Sequence, residues 1–254
     1  MQLFDLKGRA AIVTGGNGGI GFGIARGLAR AGASVLVAGR NPAKNERAVA
    51  ELKALGAEAA SIEVDVTQEA ACSAMVERGV SLFGRLDILV VNAGINIRKP
   101  PETYTLEEWH TILDANLTSA FLSTKAAYPA MVKAGGGKVI TIGSMTSLFG
   151  IPLAGPYGAS KGGIVQFTRS LAVAWAKDNI QANAILPGWI DTDLTKSARV
   201  DIAGLDERVK KRTAAGRWGS PADFEGIAVF LASAASDFIT GTAIPVDGGY
   251  SIQG

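Results

Sequence analysis

The sequence predicts a single α/β domain, in which a doubly wound sheet of seven mostly parallel strands carries helices on both faces. Two observations indicate this fold class. Short, continuous, β-branched apolar runs are typical of strands that are buried on both faces. These runs alternate with helical segments, which favours parallel pairing. A length of 254 residues suits one domain over residues 1–254, with predicted strands at 10–14, 34–38, 59–64, 87–91, 138–142, 181–186 and 243–246.

The first unit of the chain contains a glycine-rich turn between a strand and a helix. The text RAAIVTGGNGGIGFGIARGLARAGASVLVAGR runs from strand 10–14 through Gly15, Gly19 and Gly21 into a helix that Gly32 ends. Glycines at such positions allow a tight turn, close approach of the backbone to a pyrophosphate and tight helix packing. Free N–H groups at the helix N-terminus then bind the phosphates. No Lys-Ser/Thr pair follows, which disfavours a nucleoside-triphosphate loop, so the unit predicts a Rossmann-like dinucleotide-binding domain.

Three later segments are informative. Thr105 and Glu108 form a capping-box pattern at the start of a helix. Residues 188–219 are rich in charge and poor in periodicity, and they follow the sixth strand at the ligand edge of the sheet, so we interpret them as an irregular substrate lid. The helices predicted at 120–132 and 157–176 are apolar nearly all round, which indicates burial on two sides. One side would face the sheet and the other a second subunit.

Ser144, Tyr157 and Lys161 form a candidate acid/base group. Tyr157 and Lys161 are four residues apart, so they share one face of a helix. An ammonium one turn away from a phenol favours the phenolate and lowers its pKa toward the range useful for proton transfer. Ser144 follows the apolar run KVITIG, which places a hydroxyl at the carboxyl end of a strand, where α/β folds bind ligands.

Together these motifs resemble the short-chain dehydrogenase/reductase family over essentially the whole chain. The C-terminal text AAGRWGSPADFEGIAVFLASAASDFITGTAIPVDGG is similar to that of its gluconate 5-dehydrogenase and 2-deoxy-gluconate 3-dehydrogenase group. The matching pieces are TGGNGGIG (14–21), Asp65-Val66, Asn92-Ala93-Gly94, Asn116, Ser144, Tyr157 with Lys161, Pro187-Gly188, Thr192 and VDGG (246–249).

The resemblance implies a role for each residue of the acid/base group. Tyr157 would be the general acid/base, Lys161 would lower its pKa and bind ribose hydroxyls, and Ser144 would polarise the substrate oxygen. Asn116 would hold a water that links Lys161 to solvent; its alternative is a helix-surface amide. Hydride transfer belongs to the nicotinamide cofactor, and no metal is required.

The resemblance also implies the cofactor contacts. Asp65 would accept from the adenine amino group, or serve only as a turn residue ahead of Thr67, and Val66 would donate through its backbone. The full expected set is Gly15, Asn17, Gly19, Ile20, Gly21, Arg40, Asp65, Val66, Asn92, Ala93, Gly94, Tyr157, Lys161, Pro187, Gly188 and Thr192.

The end of the second strand bears on the choice between NAD and NADP. Users of NAD carry an acid there for the ribose 2′-hydroxyl, whereas this chain has Gly39 followed by Arg40. An arginine suits a 2′-phosphate through bidentate contacts. The other common NADP signal, a basic residue in the glycine loop, is missing because Asn17 stands there. The balance favours NADP, with NAD as the alternative.

Arg98 is the candidate for substrate selection. It lies on the loop that leaves the fourth predicted strand, four residues after Gly94, where a cation would meet the carboxylate of a sugar acid. Its alternative is a solvated loop pair with Lys99. The opposite wall is expected from Met145, Thr146, Trp189 and Asp191.

Composition narrows the class of protein. The net charge is +2 without any block of like charge, so neither a nucleic acid nor a membrane partner is expected. The single cysteine, Cys72, allows no internal disulfide and suits a cytoplasmic location. The single histidine, His110, is expected on a helix surface, which disfavours a histidine triad or metal site.

The leading function is reversible oxidation of a secondary alcohol in a sugar acid, sugar or polyol, by a homotetramer as the resemblance implies. One alternative is a 3-oxoacyl-carrier-protein reductase or a general reductase of small ketones. By the resemblance, the family's 3-oxoacyl-carrier-protein reductases tend to carry arginines at the positions of Pro129 and Val173, which counts against this alternative. A non-catalytic dinucleotide-binding scaffold is a third reading, which the complete set of Asn116, Ser144, Tyr157 and Lys161 disfavours.

Overall fold

A seven-stranded sheet forms the centre of the computed structural model, which describes residues 2–253; Met1 and Gly254, at the ends of the predicted domain, lie outside the described residues. The strand order is β3-β2-β1-β4-β5-β6-β7, and every pairing is parallel. The strands are β1 Ala10–Thr14, β2 Ser34–Gly39, β3 Ala59–Glu63, β4 Ile88–Val91, β5 Gly137–Ile142, β6 Ile180–Pro187 and β7 Ala243–Val246.

The predicted fold class is confirmed, and the strand ends differ from prediction by one or two residues at most. Asp87, predicted as the first residue of the fourth strand, lies just before β4. Its carboxylate accepts from the backbone N–H of Ala10 at 2.9 Å and binds Arg9 and Arg85. This buried, hydrogen-bonded carboxylate joins the starts of β1 and β4, and its partners hold its pKa below the usual range although burial opposes them.

Helices cover both faces of the sheet. Two extensive apolar cores result, one between the sheet and α1, α2 and α9, the other between the sheet and α3, α5 and α6. The predicted capping box of Thr105 and Glu108 begins α4. The helices of the described chain are α1 Gly19–Arg30, α2 Pro42–Ala54, α3 Glu69–Phe83, α4 Leu106–Leu113, α5 Ser119–Lys133, α6 Gly155–Trp175, α7 Asp193–Asp201, α8 Leu205–Arg212 and α9 Glu225–Ala232.

The segment 188–219 is not irregular, contrary to the prediction from its poor periodicity. It contains the two short helices α7 and α8. Ala198, Leu205 and Val209 pack with Trp218 in a small separate apolar cluster. Each helix buries only a narrow apolar row among many charged residues, and a row of one or two residues per helix gives too weak a periodic signal to recognise in sequence.

The surfaces of α5 and α6 carry exposed apolar side chains. Phe121 is 47% exposed on α5 and Val173 is 83% exposed on α6, while both helices bury their other sides against the sheet. His110 is exposed near the end of α4, as predicted. Within residues 2–253, no helix combines the length and the apolar character that crossing a membrane requires.

Candidate active site

The glycine-rich turn has the geometry that close contact with a pyrophosphate requires. Gly15 and Gly19 have φ of +62° and +52°, which side-chain-bearing residues rarely adopt. A side chain at Gly21 would collide with the carbonyl oxygen of Gly15 and the amide of Asn92. The Asn92 amide donates to the carbonyl oxygens of Thr14 and Gly15 at 3.0 and 3.1 Å. Asn92 therefore holds the turn in place, a role that its motif alone did not reveal.

A cleft of about 1080 Å³ lies at the carboxyl ends of the strands, where the strand order reverses between β1 and β4. Parallel α/β sheets bind ligands at this switch point. One predicted cofactor residue, Gly21, packs beneath the turn and does not line the cleft, and the Thr192 methyl lies close to Gly19, where an added Cβ would be 3.2 Å from it. The predicted residues that line the cleft are Gly15, Asn17, Gly19, Ile20, Arg40, Asp65, Val66, Asn92, Ala93, Gly94, Ser144, Tyr157, Lys161, Pro187, Gly188 and Thr192.

At the end of β2, a side chain in place of Gly39 would have to displace the amides of Asn17 and Asn45. A Cβ at Gly39 would lie 2.5 Å from the Asn17 amide nitrogen and 2.9 Å from the Asn45 amide oxygen. These two amides hydrogen bond to each other at 2.6 Å. Arg40 is exposed, lines the cleft and lowers the pKa of the nearby Asp65 carboxyl, after the hydrogen bonds from Thr67. The site thus offers a cation in place of the acid that a ribose 2′-hydroxyl requires.

Asp65 lies two residues beyond the end of β3. Its Oδ1 accepts from the Thr67 backbone N–H at 3.0 Å and from the Thr67 hydroxyl at 2.8 Å. These bonds are those of a turn residue, the alternative role in the sequence analysis. The carboxylate also lines the cleft, so the turn holds it in position to accept from a ligand.

Helix α6 positions the two central residues of the acid/base group. Tyr157 and Lys161 lie on one face, with Lys161 Nζ 5.6 Å from the centre of the Tyr157 ring. Ser144 follows β5, and its hydroxyl accepts from the Thr146 N–H at 3.1 Å. A side chain at Gly94 would lie 2.9 Å from Asn116 Oδ1 and 3.6 Å from Lys161 Nζ. Four separate segments of the chain therefore meet at one point, as predicted.

The electrostatics of the group differ from the prediction that Lys161 lowers the pKa of Tyr157. Burial raises the pKa of the Tyr157 phenol, and the groups that oppose this rise are the Ser144 hydroxyl and the charge of Arg98. Burial also lowers the pKa of Lys161 to about 8, and Lys161 Nζ donates to the Ile142 carbonyl oxygen at 2.7 Å. With a pKa of about 8, Lys161 is still protonated at neutral pH, but it is not among the groups that oppose the rise in the pKa of Tyr157.

The Asn116 side chain is buried and hydrogen bonded within the protein rather than exposed on a helix surface. It is fully buried in a π-helical turn, Asp114–Thr118, between α4 and α5. Its Oδ1 accepts from the Ile95 N–H at 2.8 Å, and its Nδ2 donates to the Ile95 carbonyl oxygen and the Ser160 hydroxyl. The side chain thus joins the loop after β4 to α6. Its amide hydrogens are both used, so a water linked to Lys161 would need another acceptor or the remaining lone pair of Oδ1.

A second cavity, of about 720 Å³, adjoins the cleft at Ser144, Tyr157 and Gly188. All four predicted substrate residues line it: Arg98, Met145, Thr146 and Trp189. Two buried oxygen atoms of lining residues, Thr146 Oγ1 and Asn96 Oδ1, have no hydrogen-bond partner within residues 2–253. Buried polar atoms are normally paired.

The lining of this cavity is basic. Besides Arg98 it includes Arg208, Lys211 and Arg212, and no acidic side chain among the described residues lines it. Asp191, expected in the wall, instead pairs with Arg199 at 3.0 Å. Sequence analysis missed the three cations on α8, because the segment that carries them was interpreted as irregular.

Arg98 is neither a free substrate ligand nor a solvated loop residue. Its guanidinium donates to the Leu194 carbonyl oxygen at 3.1 Å and to the Ser197 hydroxyl at 3.2 Å, both on α7. Its charge still acts on the Tyr157 phenol. Arg98 therefore connects the loop after β4 to α7 close to the reacting end of the cavity. In the part of the chain that the structure describes, no group of three or more His, Cys, Asp or Glu side chains could hold a metal ion.

Comparisons with known proteins agree with this geometry. Residues 15–251 match a family model described as enoyl-(acyl carrier protein) reductase. The chain is 40% identical over 250 residues to the 2-dehydro-3-deoxy-D-gluconate 5-dehydrogenase of Formosa agariphila, covering 98% of this chain and 95% of that one. It is 37% identical over 255 residues to the gluconate 5-dehydrogenase of Gluconobacter oxydans, covering 99% and 98%.

A solved structure with the same fold contains a cofactor. The gluconate 5-dehydrogenase of Burkholderia cenocepacia, crystallised with NADP and tartrate, superposes with a TM-score of 0.93 at 39% identity and covers 98% of each chain. The match extends over both the cleft and the second cavity of the present structure, since it spans nearly the whole chain.

Proposed function

The chain belongs to the short-chain dehydrogenase/reductase family and is an NAD(P)-dependent oxidoreductase of CH–OH groups; from this premise we propose that it interconverts a hydroxyl and a keto group of a sugar acid with NADP. The observation that carries the substrate class is the cavity beside Tyr157, which has four basic side chains in its lining and no described acidic one. Such a site attracts carboxylates and repels cations. Relatives named for gluconate and its derivatives support the same class.

The cleft residues fit a dinucleotide. The positive φ of Gly15 and Gly19 and the lack of space at Gly21 leave the backbone open to a pyrophosphate at the start of α1. Arg40 would bind a 2′-phosphate, and Lys161 the ribose hydroxyls. The bound nicotinamide supplies the hydride acceptor or donor.

The chain's own residues then handle the proton and the substrate oxygen. Tyr157 takes the proton from the hydroxyl during oxidation and returns it during reduction. Ser144 donates a hydrogen bond to the same oxygen and stabilises charge that develops on it. Lys161, of which only 4% is exposed, would influence the proton equilibrium of the neighbouring Tyr157 phenol. The helices α7 and α8 cover the cavity as the proposed lid and limit access of water.

A substrate panel tests the proposal directly. We expect NADP-dependent turnover of D-gluconate, 5-dehydro-D-gluconate or 2-dehydro-3-deoxy-D-gluconate, with a higher kcat/KM than for the matched neutral polyols and aliphatic ketones. Preference for neutral ketones, or for NAD over NADP, would contradict the corresponding part of the proposal.

Replacing Arg40 with alanine is expected to weaken NADP(H) far more than NAD(H). A lost charge-assisted contact to phosphate costs about 1.5–3 kcal/mol, or about 10- to 100-fold in affinity. Titration of each cofactor by fluorescence measures the two dissociation constants. Arg47→Ala is the matched control, because Arg47 is an exposed arginine of α2 outside the cleft lining. Equal weakening of both cofactors would show that Arg40 does not bind the phosphate.

Replacing Arg98 with alanine is expected to raise KM for acidic substrates at least about tenfold with little effect on neutral ketones, if the arginine meets substrate charge. Its bonds to Leu194 and Ser197 give an alternative in which it acts only by holding α7. In that case acidic and neutral substrates should suffer alike. Steady-state kinetics with both classes decides between the two roles.

The surfaces of α5 and α6 argue against an acyl-carrier-protein substrate. Pro129 and Val173 are exposed on α5 and α6 and offer no cation to an acidic carrier.

We also propose a homotetramer, which the exposed Phe121 and Val173 on those helices support. A monomer in sedimentation equilibrium would disprove it. A cytoplasmic location is supported by the unpaired thiol of the buried Cys72, and fractionation of cells would test it.

A further inference from the structure

Arg212, the last residue of α8, is an exposed side chain that contacts two aromatic rings beside the substrate cavity. Its guanidinium carbon lies 4.5 Å from the centre of the Tyr250 ring and 5.2 Å from that of Phe149. The two rings are themselves 6.1 Å apart with an interplanar angle of 26°, so the cation lies beside the stacked pair and touches both rings. Three segments distant in sequence thus converge on one cation. Cation–π contact restrains a guanidinium without using its N–H groups as donors to oxygen.

No acceptor in residues 2–253 uses those N–H groups: Arg212 takes part in no ion pair and no side-chain hydrogen bond there. Its neighbours differ. Arg208 donates to the Ala203 carbonyl oxygen, Lys210 pairs with Asp206 at 2.6 Å, and Arg199 pairs with Asp191. Arg212 is therefore a positioned cation whose donors remain available in the cavity lining.

Arg212 lies in the part of the cavity that is remote from the cofactor. Ser144, Tyr157 and Gly188 line both the cavity and the cleft, whereas Arg212 and its two aromatic neighbours line only the cavity. Arg98 lies nearer the cofactor cleft, since it donates to the carbonyl oxygen of Leu194, a residue that lines both the cavity and the cleft. The two arginines therefore mark a reacting end and a distal end.

We propose that Arg212, in contact with Phe149 and Tyr250, binds the substrate carboxylate at the distal end of the cavity and so selects acids whose reacting carbon lies several bonds from the carboxylate. This inference rests on the proposed function, because it presupposes an acidic substrate. A guanidinium with a free edge matches a carboxylate through two parallel N–H···O bonds. By this placement, reaction at the carbon next to the carboxylate should be disfavoured, because the carboxylate on Arg212 would hold that carbon away from Tyr157.

Arg212→Gln and its control Lys210→Gln test the inference. Both changes remove one positive charge from α8, and Lys210 lies outside the cavity lining. With D-gluconate and D-gluconamide as probes, we expect Arg212→Gln to lower kcat/KM for the acid about 10- to 100-fold, through KM, and to leave the amide within about threefold. Lys210→Gln should leave both substrates within about twofold. Arg212→Lys, which keeps the charge but not the fork, should recover part of the loss.

Each outcome has a separate meaning. Equal losses of kcat/KM for acid and amide, at an unchanged melting temperature, would show that Arg212 serves only in packing. This result would overturn the inference and leave the proposed function standing. If kcat/KM changed for neither the acid nor the amide, the carboxylate would bind elsewhere, and the inference would again be overturned. If the wild type turns over another acid of the panel, that acid and its amide serve as the probes. A wild type without activity on any carboxylated substrate would overturn the proposed function and the inference with it.

Discussion

Replacing Tyr157 with phenylalanine is expected to abolish turnover while NADP(H) binding stays nearly intact. Loss of a general acid/base costs about 10²–10⁴-fold in rate, and phenylalanine keeps the ring while removing the only atom that exchanges the proton. The other predicted cofactor residues that line the cleft, from the glycine-rich turn to Thr192, are unchanged. The measurements are kcat for the best panel substrate and the dissociation constant for NADPH.

Tyr128→Phe is the matched control for this change. Tyr128 lies on α5, where its hydroxyl donates to Asp178 at 2.7 Å, and it does not line the cleft. The same chemical change there should leave kcat near the wild-type value. If Tyr157→Phe kept more than about a tenth of the wild-type rate, another group would have to supply the proton.

Replacing Lys161 with methionine is expected to abolish activity and yet to stabilise the cofactor-free protein at neutral pH. Lys161 is 4% exposed, and burial lowers its pKa to about 8 from the ordinary value of 10.5. At pH 7 the folded protein therefore bears the cost of a buried ammonium. The difference between these two pKa values corresponds to about 3–4 kcal/mol, reduced by the lost hydrogen bond to Ile142.

The lowered pKa of Lys161 also determines how the free energy of unfolding changes with pH. Below about pH 8, both the folded and the unfolded chain hold the proton, and the full cost of burial is present. Between about pH 8 and 10.5, the folded protein has lost the proton while the unfolded chain still binds it. The free energy of unfolding of the wild type should therefore rise with pH across this window through Lys161, and Lys161→Met should remove that contribution.

Urea unfolding of the cofactor-free proteins at about pH 7 and about pH 9.5 measures the effect. Lys133→Met, a change of an exposed lysine at the end of α5, is the control and should behave like the wild type. A loss of stability at pH 7 in Lys161→Met would mean that the bond to Ile142 outweighs the cost of the buried charge. An unchanged activity would remove Lys161 from the acid/base group.

The sequence predicted the sheet closely because its signals are local. Parallel strands buried on both faces need continuous apolar runs, so the seven strands could be identified within one or two residues of their observed ends. The spacing of Tyr157 and Lys161 fixes a shared helix face by itself. The short helices α7 and α8 escaped prediction because each contributes only a narrow apolar row to the cluster around Trp218.

Residue types and motif order alone determined the fold class, the dinucleotide site and the acid/base group, since backbone conformation at glycines and helix periodicity depend on neighbours in the chain. Tertiary structure alone decided how those groups are tuned. Burial raises the pKa of Tyr157 and lowers that of Lys161, and burial depends on which distant segments cover the site. Packing from three distant segments likewise decided that Arg212 contacts both Phe149 and Tyr250, because cation–π contact requires side chains that only the folded chain brings together.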